Sequence, residues 1–163
     1  VNVFLTGMPG CGKSTIARAL AEAAGLTALD LDEEIEKTAG RTISRIFEED
    51  GEAVFRDMET VAICAAAAGD GRVVATGGGS VLRPQNVAAM KTSGVVVFID
   101  RPLENILSDI ETGHRPLLKD GKQRLLGLYT SRIGTYRASA DHIIDGAGSV
   151  EDVIRKIRDA LGL

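Results

Sequence analysis

The chain predicts an α/β fold, a parallel sheet of five strands covered on both faces by helices, three layers in all. Three observations carry that expectation. Short runs rich in Val, Ile, Leu and Phe alternate with longer segments of helical period, as βαβ units do. The first run passes directly into a glycine-rich turn and then a helical pattern. Finally, 163 residues with 44% hydrophobic content suffice for one continuous core, so residues 1–163 are expected to form a single domain.

The expected strands are Val1–Leu5, Thr27–Leu31, Val73–Thr76, Val95–Asp100 and His142–Asp145. A first helix should run from Ser14 to Ala24, with Ile16, Leu20 and Ala24 on one face and Gly25 placed to end it. The run Asp32-Glu33-Glu34-Ile35-Glu36 reads as a helix start favoured by the dipole, not as a metal cluster. After Gly51, a longer helix is expected because Val54, Met58, Val61 and Ala65 recur at helical spacing. The last helix opens on Ser149-Val150-Glu151-Asp152, a capping-box pattern, and carries Val153, Ile157 and Leu161 on one face. The segment 111–122 has neither period and contains Gly113 and Gly121, so a mobile surface loop is expected there.

Composition narrows the function classes. A formal net charge of −4 argues against a non-specific nucleic-acid binder, which needs a broad cationic face. Any anionic ligand must be held by a local cluster of positive groups. Cys11 and Cys64 are too few for a disulfide framework and match no zinc spacing, which fits a reducing, cytoplasmic compartment. The longest strongly apolar run, Val95 to Ile99, is far below the ~20 residues that span a bilayer, so no membrane association is expected. The chain opens on Val1 and not on Met, as a trimmed chain or a segment of a longer polypeptide would.

The most specific motif is Gly7-Met8-Pro9-Gly10-Cys11-Gly12-Lys13-Ser14, which fits GxxxxGK[ST] between a strand and a helix, the P-loop context. Glycines let the backbone wrap phosphate oxygens, and the following helix adds its positive N-terminal end. Gly10, Cys11, Gly12, Lys13, Ser14 and Thr15 are therefore the candidate nucleotide-binding residues. Lys13 supplies a point charge for the β- and γ-phosphates and Ser14 a hydroxyl for Mg²⁺. Cys11 reads as a small filler, with no base nearby in sequence to activate it. A P-loop identifies a nucleotide, not a reaction, so the acceptor side must decide.

On that side, Leu29-Asp30-Leu31-Asp32 places two carboxylates two residues apart, projecting to one side if the segment is extended. The alternative is a strand end with Asp32 capping a helix over Glu33–Lys37. Gly77-Gly78-Gly79 follows the third strand and offers bare backbone N–H groups. Both places lie at strand ends, where α/β sheets bind ligands. Arg56 and Arg132 sit in helical patterns beside Phe55 and Tyr129, and an arginine fork suits bidentate grip on a carboxylate. Arg56 also has Glu52 at i−4 and Glu59 at i+3, the spacing of pairing on a solvated face; pairing with Glu59 would also fix its aim. His114 and His142 read as a loop residue and a strand residue without catalytic partners.

Taken in order, these pieces resemble the shikimate kinase family over essentially the whole chain. The matching residues are the P-loop, Leu29 to Asp32, Gly51-Glu52, Phe55-Arg56, Glu59, Gly77 to Gly79, Arg115-Pro116-Leu117-Leu118, and Tyr129, Arg132 and Tyr136-Arg137. The resemblance implies a nucleoside-monophosphate-kinase-like P-loop fold with a five-stranded parallel sheet and a mobile lid at about 111–122. It implies transfer of phosphate from ATP, with Mg²⁺, to shikimate, giving shikimate 3-phosphate and ADP in the route to aromatic amino acids. Lys13, Asp32 and Arg115 would be catalytic, Asp32 as base and Arg115 as the lid residue beside the transferring phosphoryl group and the nucleotide. Ser14 and, through water, Asp30 would serve the metal. Arg56 and Arg132 would hold the shikimate carboxylate, Gly77, Gly78 and Gly79 would line the acceptor, and Ile43, Phe47, Phe55, Pro116 and Leu117 would form an apolar wall. A cytoplasmic monomer, free or fused to other enzymes of the pathway, is the expectation.

Family members often stack an arginine shortly before the lid on adenine. This chain has Ser108-Asp109-Ile110 there, leaving Ile110 or residues around Asp145 to Gly148 as the expected contacts. Two other readings compete: a related kinase acting on gluconate or a nucleoside monophosphate, and a non-catalytic nucleotide-binding module. The Asp32, Arg56 and Arg132 set favours a polyol bearing a carboxylate over the first. Intact Lys13, Ser14, Asp32 and Arg115 argue against the second.

Overall fold

A computed structural model describes residues 1–112 and 119–163. Strands β1 (Asn2–Thr6), β2 (Thr27–Asp30), β3 (Arg72–Ala75), β4 (Gly94–Asp100) and β5 (His142–Asp145) form one sheet in the order β2-β3-β1-β4-β5. Every pairing is parallel, with Val3 opposite both Val73 and Val95. The helices are α1 (Lys13–Ala24), α2 (Leu31–Ala39), α3 (Ile43–Asp50), α4 (Glu52–Ala67), α5 (Pro84–Ser93), α6 (Leu103–Thr112), α7 (Lys119–Ser139) and α8 (Val150–Leu161). A single 3-10 turn spans Ser80–Leu82.

Helices α1 and α8 pack on one face of the sheet, and α4, α5 and α7 on the other. Covering both faces explains why β1 is buried at every residue and why the central strands read as continuous apolar runs without alternation. The main core joins Phe4, Leu5, Leu20, Phe98, Ile99 and Ile157 across the layers. Ile35, Ile46 and Phe55 form a smaller core where α2, α3 and α4 meet. From β1 the chain moves outward to β2, returns to β3, then crosses to β4 on the far side of β1. That reversal opens a crevice beyond the carboxyl end of β1, where the glycine-rich turn lies.

Several expected boundaries shift for identifiable reasons. Strand β2 stops at Asp30 because that side chain caps α2, its Oδ1 accepting from the Glu33 N–H at 3.2 Å. Asp32 is therefore not the cap, nor does it share an extended segment with Asp30; it lies in the first turn of α2. Helix α8 has the expected capping box between Ser149 and Asp152. Both ends of the expected 111–122 loop are helical, since α6 takes in Thr112 and α7 begins at Lys119. The rest of that loop, with His114, Arg115, Pro116 and Leu117, lies outside the described residues.

Helix α4 shows the largest departure in packing. Its buried residues are Phe55, Glu59, Ile63 and Ala66, whereas Val54 and Val61 of the expected apolar stripe are exposed. That stripe instead lines an apolar groove of about 770 Å³ between α2, α4 and β2. The groove contains none of the P-loop or Gly77–Gly79 residues. Among the described residues, no helix is long and apolar enough to cross a membrane.

Candidate active site

The loop between β1 and α1 turns through Gly10 at φ 80° and Gly12 at φ 90°, conformations that β-carbon-bearing residues rarely adopt. No side chain caps α1 and its first turn holds no acidic residue, so its leading N–H groups and positive dipole end face the crevice uncompensated. The Lys13 ammonium donates to the Gly7 carbonyl at 2.7 Å and the Met8 carbonyl at 3.0 Å, folded back over the loop. Cys11 is buried against the core, with the Lys13 ammonium 3.8 Å from its sulfur.

The Ser14 hydroxyl donates to the Asp30 carboxylate, whose other oxygen is held by the Glu33 N–H. This pairs two hard oxygen donors at the foot of the cradle. Among the described residues no three His, Cys, Asp or Glu side chains converge as a metal cage. One hydroxyl and one carboxylate are hard oxygen donors of the kind that suit Mg²⁺, which keeps most of its ligands as water and phosphate oxygen.

The acceptor side is organised by Gly77, Gly78 and Gly79, each packed against a different candidate residue. A Cβ on Gly77 would lie 2.8 Å from Glu59 Oε2 and 3.2 Å from Asp32 Oδ1. On Gly78 it would lie 2.9 Å from the Pro9 ring and 3.3 Å from Arg132 Nη1. On Gly79 it would lie 2.3 Å from Arg56 Nη1. The triplet is glycine because side chains would collide with the groups that converge on it. Asp32, Arg56 and Arg132, distant in sequence, thus meet at one tripeptide beside the P-loop.

Those groups are held by bonds that only partly follow the expected pattern. Arg56 Nη1 donates to Glu59 Oε1 at 3.0 Å and Nη2 to Glu52 at 3.3 Å. This is not a solvated face, because Arg56 is only 15% exposed and Glu59 only 1%. The second Glu59 oxygen accepts from the Ser80 hydroxyl at 3.0 Å, and Ser80 Oγ accepts in turn from the Gly77 N–H at 3.0 Å. The Gly77 N–H is thus taken by Ser80. The Gly78 and Gly79 N–H groups have no partner among the described residues. Tyr136 is fully buried, its ring stacked on Phe98 at 5.1 Å and its hydroxyl donating to the Gly78 carbonyl at 2.6 Å.

Phe55 lies in the smaller core with Phe47 against it at 4.9 Å, and the Arg56 guanidinium is 5.2 Å from the Phe55 ring. Glu59, Ser80 and Tyr136 complete the site from behind. Only spacing could signal them in sequence: Glu59 at i+3 from Arg56 and Tyr136 at i+4 from Arg132. Gly79→Ala should push Arg56 aside and raise KM for the acceptor at least about fivefold, with KM for ATP little changed. Equal rises in both constants, measured by steady-state kinetics, would show a general distortion instead.

Asp32 titrates above the ordinary aspartate range. Surrounding protein mass penalises its charge most, although the side chain still meets solvent in the open cleft; Asp30, Glu59 and Glu36 add repulsion, and Lys13 opposes them. A carboxylate of raised basicity beside a phosphate cradle has the chemistry of a base for an incoming hydroxyl.

On the other side of the P-loop, a cavity of about 190 Å³ is lined by Gly10, Thr15, Arg101, Gly146, Gly148 and Ser149. The expected contact region around Asp145 to Gly148 falls there, joined by Arg101, which the sequence reading did not single out.

The family model for shikimate kinase matches residues 9–162. The chain belongs to the shikimate kinase family. A shikimate kinase of Clostridium botulinum (strain Alaska E43 / Type E3) is 46% identical over 157 residues, covering 96% of this chain and 94% of the relative. The solved shikimate kinase of Acinetobacter baumannii in complex with shikimate superposes with a TM-score of 0.89 at 37% identity, covering 99% of this chain and 93% of that one. A gluconokinase from Sinorhizobium meliloti 1021 superposes with a TM-score of 0.63 at 17% identity, covering 99% and 91%, a likeness of fold alone.

Proposed function

We propose that the protein transfers the γ-phosphoryl group of ATP to shikimate, releasing shikimate 3-phosphate and ADP. The observation that carries this reading is the convergence of one carboxylate and two arginines, Asp32, Arg132 and Arg56, on the Gly77–Gly79 triplet beside the P-loop. That set suits an acceptor with both a hydroxyl to activate and a carboxylate to grip.

In this reading the P-loop amides, the α1 N-terminus and Lys13 hold the ATP phosphates. Ser14 and, through water, Asp30 would hold Mg²⁺, which would supply charge neutralisation for the phosphates. Arg56, aimed by Glu59, and Arg132 beside Tyr136 grip the acceptor carboxylate, while Gly78 and Gly79 approach it with free N–H groups. Phe55 and Phe47, with Ile43, support the apolar side. Asp32 orients the 3-hydroxyl and takes its proton as the oxygen bonds to the γ-phosphorus and the bond to the ADP oxygen breaks. Arg115 is assigned to the transferring phosphoryl group on the strength of the sequence resemblance. A monomer in the reducing cytoplasm, with Cys11 and Cys64 as free thiols, completes the proposal.

The decisive test is ADP release with shikimate, gluconate and AMP offered separately, where turnover is expected with shikimate alone. In the same assay, Arg56→Ala and Arg132→Ala should each raise KM for shikimate at least ~10-fold and leave KM for ATP nearly unchanged, as loss of a charged, bidentate contact predicts. Preference for gluconate or AMP would overturn the acceptor assignment. Parallel rises in both KM values would return the arginines to a structural role.

A further inference from the structure

The cavity beyond the P-loop raises the question of what receives the nucleotide base. With the phosphates on Gly10 to Ser14 and the acceptor at Gly77–Gly79, the base must lie on the side away from the acceptor. The 190 Å³ cavity there shares Gly10, Cys11, Gly12 and Thr15 with the cradle. Its charged wall is Arg101, immediately after β4, together with Asp109 of α6.

All three nitrogens of the Arg101 guanidinium are committed in its own plane. Nε and Nη2 each lie 2.9 Å from the Asp109 carboxylate, and Nη1 donates to the Gly146 carbonyl at 2.7 Å. The side chain is only 17% exposed. Gly146 permits this approach, since a Cβ there would lie 2.9 to 3.0 Å from Arg101 N, Cα and Cβ. Three of its five N–H groups are thus engaged, and the Asp109 carboxylate beside it offsets its charge, so it is poorly placed to serve a phosphate. What remains is its flat, delocalised face, which stacks on aromatic rings.

We propose that Arg101, locked by Asp109 and the Gly146 carbonyl, is the stacking wall for the purine ring of the bound nucleotide. It touches the base and not the reacting atoms, so it sets nucleotide affinity and leaves chemistry alone. The pair has a plain structural use as well, tying α6 to the end of β4, and the experiment must separate the two.

The proposal rests on ATP as the phosphoryl donor, and the probes are chosen to keep the two claims apart. Binding of ADP and of inorganic pyrophosphate, which shares the cradle but has no base, is measured by calorimetry on the parent protein, Arg101→Ala and Arg101→Lys. Thermal melts accompany each variant. The expected result is ADP binding weakened about five- to tenfold in both variants, within the range of a cation–π contact, with pyrophosphate affinity unchanged. Lysine is included because it keeps the charge and loses the plane. If the parent protein binds ADP but the variants bind it equally well, the stacking role is overturned and the donor assignment stands. Pyrophosphate weakened in step with ADP would also overturn stacking, in favour of a long-range charge effect or a disturbed loop. A parent protein that binds pyrophosphate and not ADP would overturn the donor assignment itself.

Discussion

Asp32→Asn should turn over shikimate at least ~100-fold more slowly than the parent protein under saturating substrates, while binding ATP nearly as well. The amide preserves shape and some hydrogen bonding, so the loss isolates charge and basicity. The environment makes Asp32 more basic than an ordinary aspartate, chiefly because nearby protein displaces part of its solvation although the side chain meets solvent, and then by the repulsion of Asp30, Glu59 and Glu36. The acid limb of the kcat/KM profile, which reports the free protein, should accordingly lie above the usual aspartate range. The same shift has a stability consequence of opposite sign. A carboxyl whose pKa is higher folded than unfolded is penalised as the anion, so stability is full below the ordinary aspartate value and is lost as pH rises from there through the raised folded value. Asn carries no charge to penalise, and Asp32→Asn should melt no lower than the parent protein at pH 7. Because phosphoryl transfer can be largely dissociative, part of the kcat loss would come from positioning. Near-normal kcat with only a raised KM would leave Asp32 as a binding residue.

Lys13→Met should abolish measurable turnover, a loss of at least ~10²–10³-fold, with the fold retained. Methionine is the informative choice because Lys13 is buried, with 9% exposure. Its aliphatic stem fills the loop, and its ammonium satisfies the carbonyls of Gly7 and Met8. Either substitution removes the donor to those carbonyls, but Lys13→Ala would add a void as well, mixing a larger stability loss into the kinetic one. Methionine keeps most of the volume and removes the point charge that the β- and γ-phosphates require. Turnover within about tenfold of the parent, or ~1.4 kcal/mol, would remove the phosphate-cradle assignment.

The readability of each part followed from how far apart its residues lie. The cradle is contiguous, its chemistry is that of backbone amides and one lysine, and its spacing alone identified it. The α8 capping box and the five strands were legible for the same reason, because a few neighbouring residues decide them. Helix α4 misled because its core-facing row contains Glu59. The charge is tolerated there because Arg56 and Ser80 satisfy both of its oxygens, and no helical apolar period reveals such a partnership. The placement of Asp30 and Asp32 was likewise decided only in space, where the Ser14 hydroxyl and the Glu33 N–H bond Asp30, and Asp32 falls in the first turn of α2.

By itself, the sequence determined a nucleotide-binding α/β chain, since local periodicity and one contiguous motif encode that much. Its ordered resemblance to a family supplied the acceptor. Tertiary structure alone decided why three glycines stand together, because the reason is the approach of Glu59, Asp32, Pro9, Arg132 and Arg56 from separate segments. It also decided that Arg101, unremarkable after a strand, lines the cavity beside the P-loop while bonded to Asp109 and the Gly146 carbonyl. Close contacts between segments far apart in the chain depend on backbone paths that no local spacing specifies.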